Sequence, residues 1–380
     1  MKSFILKFIF FFTILLLGGC KQNSTNSVVS KSTAKNEIQH AKGLEIYHYQ
    51  GYSVLNITHP WPGAKTPFTY ILQEKSGSIP DSLQQYTRIS VPIQSIVVTS
   101  TTHIPALELL GVENTLIGFP NTDFISSGNT RKRIDAGQVK EVGTNETLNT
   151  EILIDIAPDV IVSFGLNNSN PTLDNLQKSG LKVLLNGDWN EQSPLGKAEW
   201  IKFFGALYGL DAKAKAIFSS IEKEYQTTLA LAQKAKQKPT VLSGAMYQDQ
   251  WFVPQGESWM ALFLKEAQSN YLWANTTGTG SLTLPFETIL EKAQKAEFWI
   301  APGDFTSLKE MNNNNPHYAK FDAFKNKKVY SYALHKGAKG GILFFEWSST
   351  RPDWVLKDLI AIFHPELAPQ HHPYFFEKLN

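Results

Sequence analysis

One cysteine in 380 residues leaves no partner for an internal disulfide and too few thiols for a multi-cysteine metal site. Arginine is scarce too: Arg88, Arg131, Arg133 and Arg351 are the only four. The formal net charge is just +2, and Lys2 and Lys7, in a segment read below as removed, account for it. A mature chain with equal numbers of acidic and basic residues has no electrostatic case for nucleic-acid binding. Catalytic signatures are missing too: there is no HExxH, GxSxG elbow, P-loop or GxGxxG. A direct zinc or manganese receptor needs three or four His, Asp or Glu ligands, yet the nine histidines are scattered, with His371 and His372 in a C-terminal tail. No metal site and no resident cofactor is expected. What is abundant is apolar material, 42% hydrophobic and 12% aromatic with nine Trp, which excludes global disorder and supplies walls for a bulky ligand.

The longest apolar run, Phe8–Leu17, is shorter than the ~20 residues of a spanning helix. Preceded by Lys2 and Lys7 and followed by Gly18-Gly19-Cys20, it reads as a secretory signal. Leu-Gly-Gly-Cys resembles a bacterial lipobox, which makes Cys20 the lipid attachment point and new N-terminus. Residues 1–19 are therefore expected to be discarded. Residues 20–42, rich in Ser, Asn, Lys and Gln, read as a flexible tether with a reach of roughly 25 Å.

Residues 43–85 alternate apolar and polar side chains around His59-Pro-Trp-Pro-Gly63, a β segment. Residues 86–195 change to a βα rhythm, with strands at Ile93–Val98, Leu116–Phe119, Val160–Phe164 and Val183–Leu185. Residues 196–238 centre on a long helix, Asp211–Lys236, opened by an N-cap Asp, free of Gly and Pro and ended by Lys238-Pro239. The βα rhythm resumes in residues 239–380. The expected architecture is α/β: two βα lobes joined by one long spanning helix, with a ligand cleft between them.

This order resembles the helical-linker (class III) periplasmic substrate-binding lipoproteins of iron-siderophore and cobalamin ABC importers. Five local phrases carry the resemblance over residues 88–367: Thr99-Ser-Thr-Thr-His103; Glu141-Val-Gly143 with Leu148-Asn-Thr-Glu151 and Ala157-Pro-Asp-Val-Ile-Val162; Glu191–Trp200; Leu284-Pro-Phe-Glu287 with Ala296–Ile300; and Ile362–Leu367. Three of them, Thr99–His103, Glu191–Trp200 and Ile362–Leu367, resemble a subgroup found in Bacteroidetes-type bacteria. The resemblance implies a non-catalytic, monomeric receptor, lipid-anchored in the periplasm. It would capture a ferric-siderophore-type complex and hand it to an ABC permease and, through it, an ATPase subunit. It further implies that Glu151 and Glu287, one per lobe, dock onto the permease. A cobalamin or haem binder of the same importer class is the alternative, and a lipid-anchored periplasmic enzyme is the alternative of another class. The tryptophan that cobalamin binders often carry before the first docking glutamate is replaced here by Gly143–Thr147, which disfavours cobalamin.

Ligands of open α/β sheets bind beyond the carboxyl ends of the strands. That criterion selects Thr102, His103, Phe119, Trp189, Tyr247, Trp251 and Trp259 as ligand-binding candidates, with His335 and Lys339 on a Gly-rich loop. For the rings, packing beneath a loop is the competing role, and for His103 a structural hydrogen bond. Arg131 and Arg133 are placed in a surface loop.

Overall fold

The computed structural model describes residues 34–145, 147–167 and 170–380, of which Lys35–Asn380 form one compact unit. Cys20 and the expected signal, residues 1–19, lie outside the described residues. No helix among the described residues is long and apolar enough to cross a membrane.

Strands β1 (Leu44–Tyr49), β2 (Tyr52–Ile57) and β3 (Phe68–Glu74) pair antiparallel, and β4 (Thr87–Val91) joins β3 in parallel. Leu44, Ile46, Leu55, Ile57 and Ile89 point from this sheet into the same apolar cluster as Ile96 and Val98. The β segment is thus built into the first lobe.

That lobe runs through β5 (Ile96–Val98), helix α1 (Ile104–Leu110), β6 (Leu116–Phe119), α2 (Gly128–Asp135) and β7 (Lys140–Glu141). It continues with α3 (Thr150–Ile156), β8 (Val160–Ser163), α4 (Pro171–Lys178) and β9 (Val183–Leu185). The strands form one parallel sheet in the order β7-β6-β5-β8-β9. Both of its faces are covered: Ile96 and Val98 enter one cluster, while Val97 enters a second with Leu153, Leu173 and Leu176. Alternate side chains of a strand point to opposite faces, so a run of apolar residues is what a doubly covered sheet requires.

Helices α5 (Pro194–Glu199) and α6 (Ile201–Tyr208) lead to α7 (Asp211–Ala232), 22 residues or about 33 Å of helix. Its buried residues Ala214, Phe218, Ile221, Tyr225, Thr228 and Ala232 recur every three or four positions. The first three belong to the core of the first lobe, whereas Tyr225 and Ala232 belong to that of the second. The helix therefore spans the lobes. It ends four residues before Lys236, and Asp211 is its first helical residue rather than its cap, which is Leu210.

The second lobe comprises β10 (Thr240–Ser243), β11 (Ala245–Tyr247), β12 (Gln250–Pro254), α8 (Trp259–Glu266), β13 (Asn270–Tyr271) and β14 (Ser281–Pro285). After them come α9 (Phe286–Ala293), β15 (Phe298–Ile300), α10 (Leu308–Asn314), α11 (Asp322–Lys325), β16 (Val329–Ser331), α12 (Leu343–Trp347), α13 (Pro352–Phe363) and β17 (Glu377–Lys378). Its main sheet has the order β13-β10-β15-β16-β17, with only β17 antiparallel, and β11, β12 and β14 form a small antiparallel sheet beside it.

The expected tether needs correcting at its C-terminal end. The backbone amides of Gln39, His40 and Ala41 all donate to the Glu199 carboxylate, and those of Lys42 and Gly43 donate to Glu191. Glu199 is fully buried and also bonds Lys202 at 2.7 Å. Two buried acids more than 140 positions downstream hold residues 39–43 against the first lobe. The region expected as loop around Arg131 and Arg133 is helix α2. There Arg131 is buried, donating to Asp135 and to the Thr122 carbonyl, so it is held internally rather than offered to a ligand.

Candidate functional site

The facing edges of the two lobes enclose a cleft of about 330 Å³. From the first lobe it is lined by Thr99, Ser100 and Thr101 after β5, Phe119 at the end of β6 with Pro120 and Phe124 after it, Asn145 after β7 and Phe164 after β8. From the second lobe come Gly341, Ile342 and Phe345. Every first-lobe contribution except Phe119, the last residue of β6, follows the carboxyl end of a parallel strand, the position where such sheets bind ligands. Phe124 and Phe345 are more than half exposed, unusual for rings of their size. No lining side chain carries a charge. The site can wrap an apolar or aromatic surface and offers hydroxyl and amide groups for hydrogen bonds.

At one end of the cleft the lobes touch. The Ser126 and Ser127 amides, at the start of α2, donate to the Glu346 carboxylate at 2.6 and 2.9 Å. The Ser126 hydroxyl donates to the Gly341 carbonyl, and Trp347 Nε1 donates to the Ser127 hydroxyl. Close approach explains two glycines: a Cβ at Gly337 would lie 2.6 Å from Ser126, and one at Gly341 would collide with the Phe124 carbonyl oxygen. Burial raises the Glu346 carboxyl above its usual range, although these donors favour its charged form.

Of the candidates read from the sequence, Phe119 lines the cleft. The loop carrying Thr102 and His103 lines it too, through Thr99, Ser100 and Thr101. Thr102 instead donates its hydroxyl to Asp188, and His103 is fully buried against Phe204 with its nearest carboxylate oxygen, on Asp188, 4.0 Å away. Neither ring nitrogen of His103 has a hydrogen-bond partner among the described residues, and burial pushes its pKa down. Trp259 packs between Phe263 and Phe344, with the Lys197 ammonium 5.9 Å from its ring centre.

Trp251 requires correction: it is fully buried in the second-lobe core against Trp299, Tyr318 and Phe321, so it cannot wall a cleft. Its strand alternates, burying Trp251 and Val253 and exposing Gln250 and Phe252. Trp189 and Tyr247 are exposed but do not line the cleft. Lys339 is exposed on the loop before α12, where His335 Nε2 lies 3.4 Å from the Glu377 carboxylate. Glu151 and Glu287 are exposed first-turn residues of α3 and α9. Phe124, Phe164, Phe345 and Glu346 were not singled out from sequence. The Phe344-Phe345 pair gave the available signal, since adjacent helical residues cannot share one face.

A family model described as periplasmic binding protein matches residues 96–333. An uncharacterized lipoprotein of Methanocaldococcus jannaschii is 25% identical over 94% of this chain and 89% of its own length. Among solved structures, a periplasmic binding protein from Veillonella parvula has a TM-score of 0.59 at 14% identity, over 86% of this chain and 96% of its own. A periplasmic heme-binding protein from Pseudomonas aeruginosa has a TM-score of 0.56 at 18% identity, over 76% and 98%. A possible iron-binding, periplasmic solute-binding protein from Staphylococcus epidermidis has a TM-score of 0.55 at 17% identity, over 72% and 99%.

Proposed function

The chain belongs to the periplasmic binding protein family, a family of solute-binding proteins rather than enzymes, and on that premise we propose that it captures a ferric-siderophore-type iron complex between its lobes. It then delivers that complex to the permease of an ABC importer whose ATPase is a separate subunit. The observation that carries the reading is the composition of the cleft: four phenylalanines, three hydroxyl side chains, one amide and no charge. A siderophore buries the charge of its metal inside a shell of chelating oxygens. Its periphery is then largely apolar, with exchangeable hydrogen bonds, and matches such a wall. A highly anionic catecholate complex would call for arginine or lysine at the wall, so a neutral chelate of the hydroxamate kind is the better fit.

Haem is the second reading, favoured by one observation: structural neighbours from Pseudomonas aeruginosa and Vibrio cholerae are heme-binding proteins. Cobalamin remains the third. In this reading Cys20 carries the lipid that holds the protein at the periplasmic face of a membrane. Glu151 and Glu287, exposed on the two lobes, are the docking carboxylates. Calorimetric titration of the purified protein with ferric hydroxamate, ferric catecholate, haem and cyanocobalamin tests the assignment. The neutral ferric hydroxamate should bind tightest; preferred binding of haem or cobalamin replaces the reading, and binding of none of them defeats it.

A further inference from the structure

Away from the cleft, where the β1–β4 sheet meets the spanning helix, three side chains from distant parts of the chain converge. Glu37 comes from the extended segment before β1, His48 from β1 and Asp211 from the first turn of α7. One ligand atom from each lies within 4.8 Å of the other two. His48 Nε2 is 2.6 Å from the Glu37 carboxylate and 3.9 Å from that of Asp211. We propose that this triad is a binding site for a divalent transition-metal ion of the zinc class, tying the N-terminal segment to the spanning helix.

The donor chemistry suits such an ion: two carboxylates neutralise its charge, and a neutral imidazole supplies a borderline-soft nitrogen. The imidazole is already oriented. Ser53, paired directly opposite His48 across β1 and β2, places its hydroxyl 2.9 Å from Nδ1. In the ion-free protein Nε2–H donates to Glu37; once an incoming ion takes the place of that proton, Ser53 accepts from Nδ1–H and the Nε2 lone pair faces the ion between the two acids, the outer-shell arrangement that metal-binding histidines use.

The backbone behind Glu37 is fixed as well. Glu37 N donates to the Ile46 carbonyl, and the Asn36 side chain accepts from the amides of Ile38 and Ile46. An open hollow lined by Glu37, His48, Asp211, Ala212 and Lys215 gives the ion a way in and leaves room for water to complete its coordination. A tetrahedral site spaces its ligand atoms by roughly 3.3 Å, so one present spacing must widen and the other narrow. Both carboxylates and the imidazole are partly reached by solvent, which leaves room for that adjustment. Lys215 lines the same hollow.

The test uses the full chain after treatment with chelator, titrated with zinc chloride by calorimetry and with cobalt(II) by visible absorption. We expect one equivalent bound, with tetrahedral cobalt bands, lost in His48→Ala and in the less disruptive Asp211→Asn. Ser53→Ala keeps all three donors and should weaken zinc binding by roughly 10–100-fold. Circular dichroism establishes that each variant is folded. Absence of stoichiometric binding, or binding unchanged in folded His48→Ala and Ser53→Ala, overturns the proposal and reduces the triad to a hydrogen-bonded clamp.

Discussion

Glu346 in the second lobe holds Ser127 in the first: its carboxylate accepts the Ser127 amide at 2.9 Å while the neighbouring oxygen accepts that of Ser126. The same short helix presents Phe345 to the cleft, so lobe contact and ligand wall share one element. Glu346→Ala leaves two amide donors without an acceptor, a cost of about 1–3 kcal/mol. Thermal denaturation should show that loss, and X-ray scattering should show a larger radius for the variant. Glu346→Gln, which keeps one acceptor, should lie between. A variant with unchanged stability and radius would show that the contact does not hold the lobes.

The same carboxylate predicts a pH dependence. Its folded pKa is raised above the ordinary value of 4.5, so the folded chain takes up this proton before the unfolded chain does. Between the raised value and 4.5, lowering the pH stabilises the fold through this group. Glu346→Gln should remove that slope from the difference between two denaturant titrations. An identical slope in both proteins assigns the proton elsewhere.

His103 works in the opposite direction. Burial depresses its pKa below 6.5, so its contribution to stability is present above that pH. It is lost as the pH falls toward the folded value, because the unfolded chain binds the proton more readily. Replacing His103 with Leu should flatten the stability profile below pH ~6.5. A steeper profile in the variant would contradict the assignment.

Trp251 and Phe345 separate packing from recognition. Trp251→Ala empties a fully buried site and should cost about 3–5 kcal/mol of stability. Phe345→Ala removes a half-exposed ring and should weaken ligand binding while leaving the melting temperature nearly unchanged. Denaturation and titration of both proteins check the pair, and reversed outcomes would move the site to the other side of the second lobe.

Transport tests the docking role proposed for Glu151 and Glu287. The double variant Glu151→Ala/Glu287→Ala should lose uptake in cells and keep its affinity in solution, since both residues are exposed and neither lines the cleft. Retained uptake rules these carboxylates out as the permease contacts.

Short apolar runs made the sheets legible in the sequence. Leu116–Phe119 and Val183–Leu185 form strands with the boundaries expected of them. The long helix was legible for a related reason, its apolar residues recurring at helical spacing. Helix α2 was not, because it buries only Thr130 and Arg131 and so carries no apolar stripe. Trp251 misled because alternation identifies the buried face of a strand but not which core it enters. Least visible was the anchoring of residues 39–43. An acid such as Glu199 looks like any helical glutamate until the fold brings it under four hydrogen-bond donors, the amides of Gln39, His40 and Ala41 and the Lys202 ammonium.

Because α7 supplies Phe218 to one core and Tyr225 to the other, neither half of the molecule owns a complete interior. Severing the chain at the middle of that helix would strip apolar surface from both halves at once, so neither should persist as an autonomous fragment. Heating should accordingly give a single calorimetric transition whose van't Hoff and calorimetric enthalpies agree. What looks like a pair of lobes melts as one body.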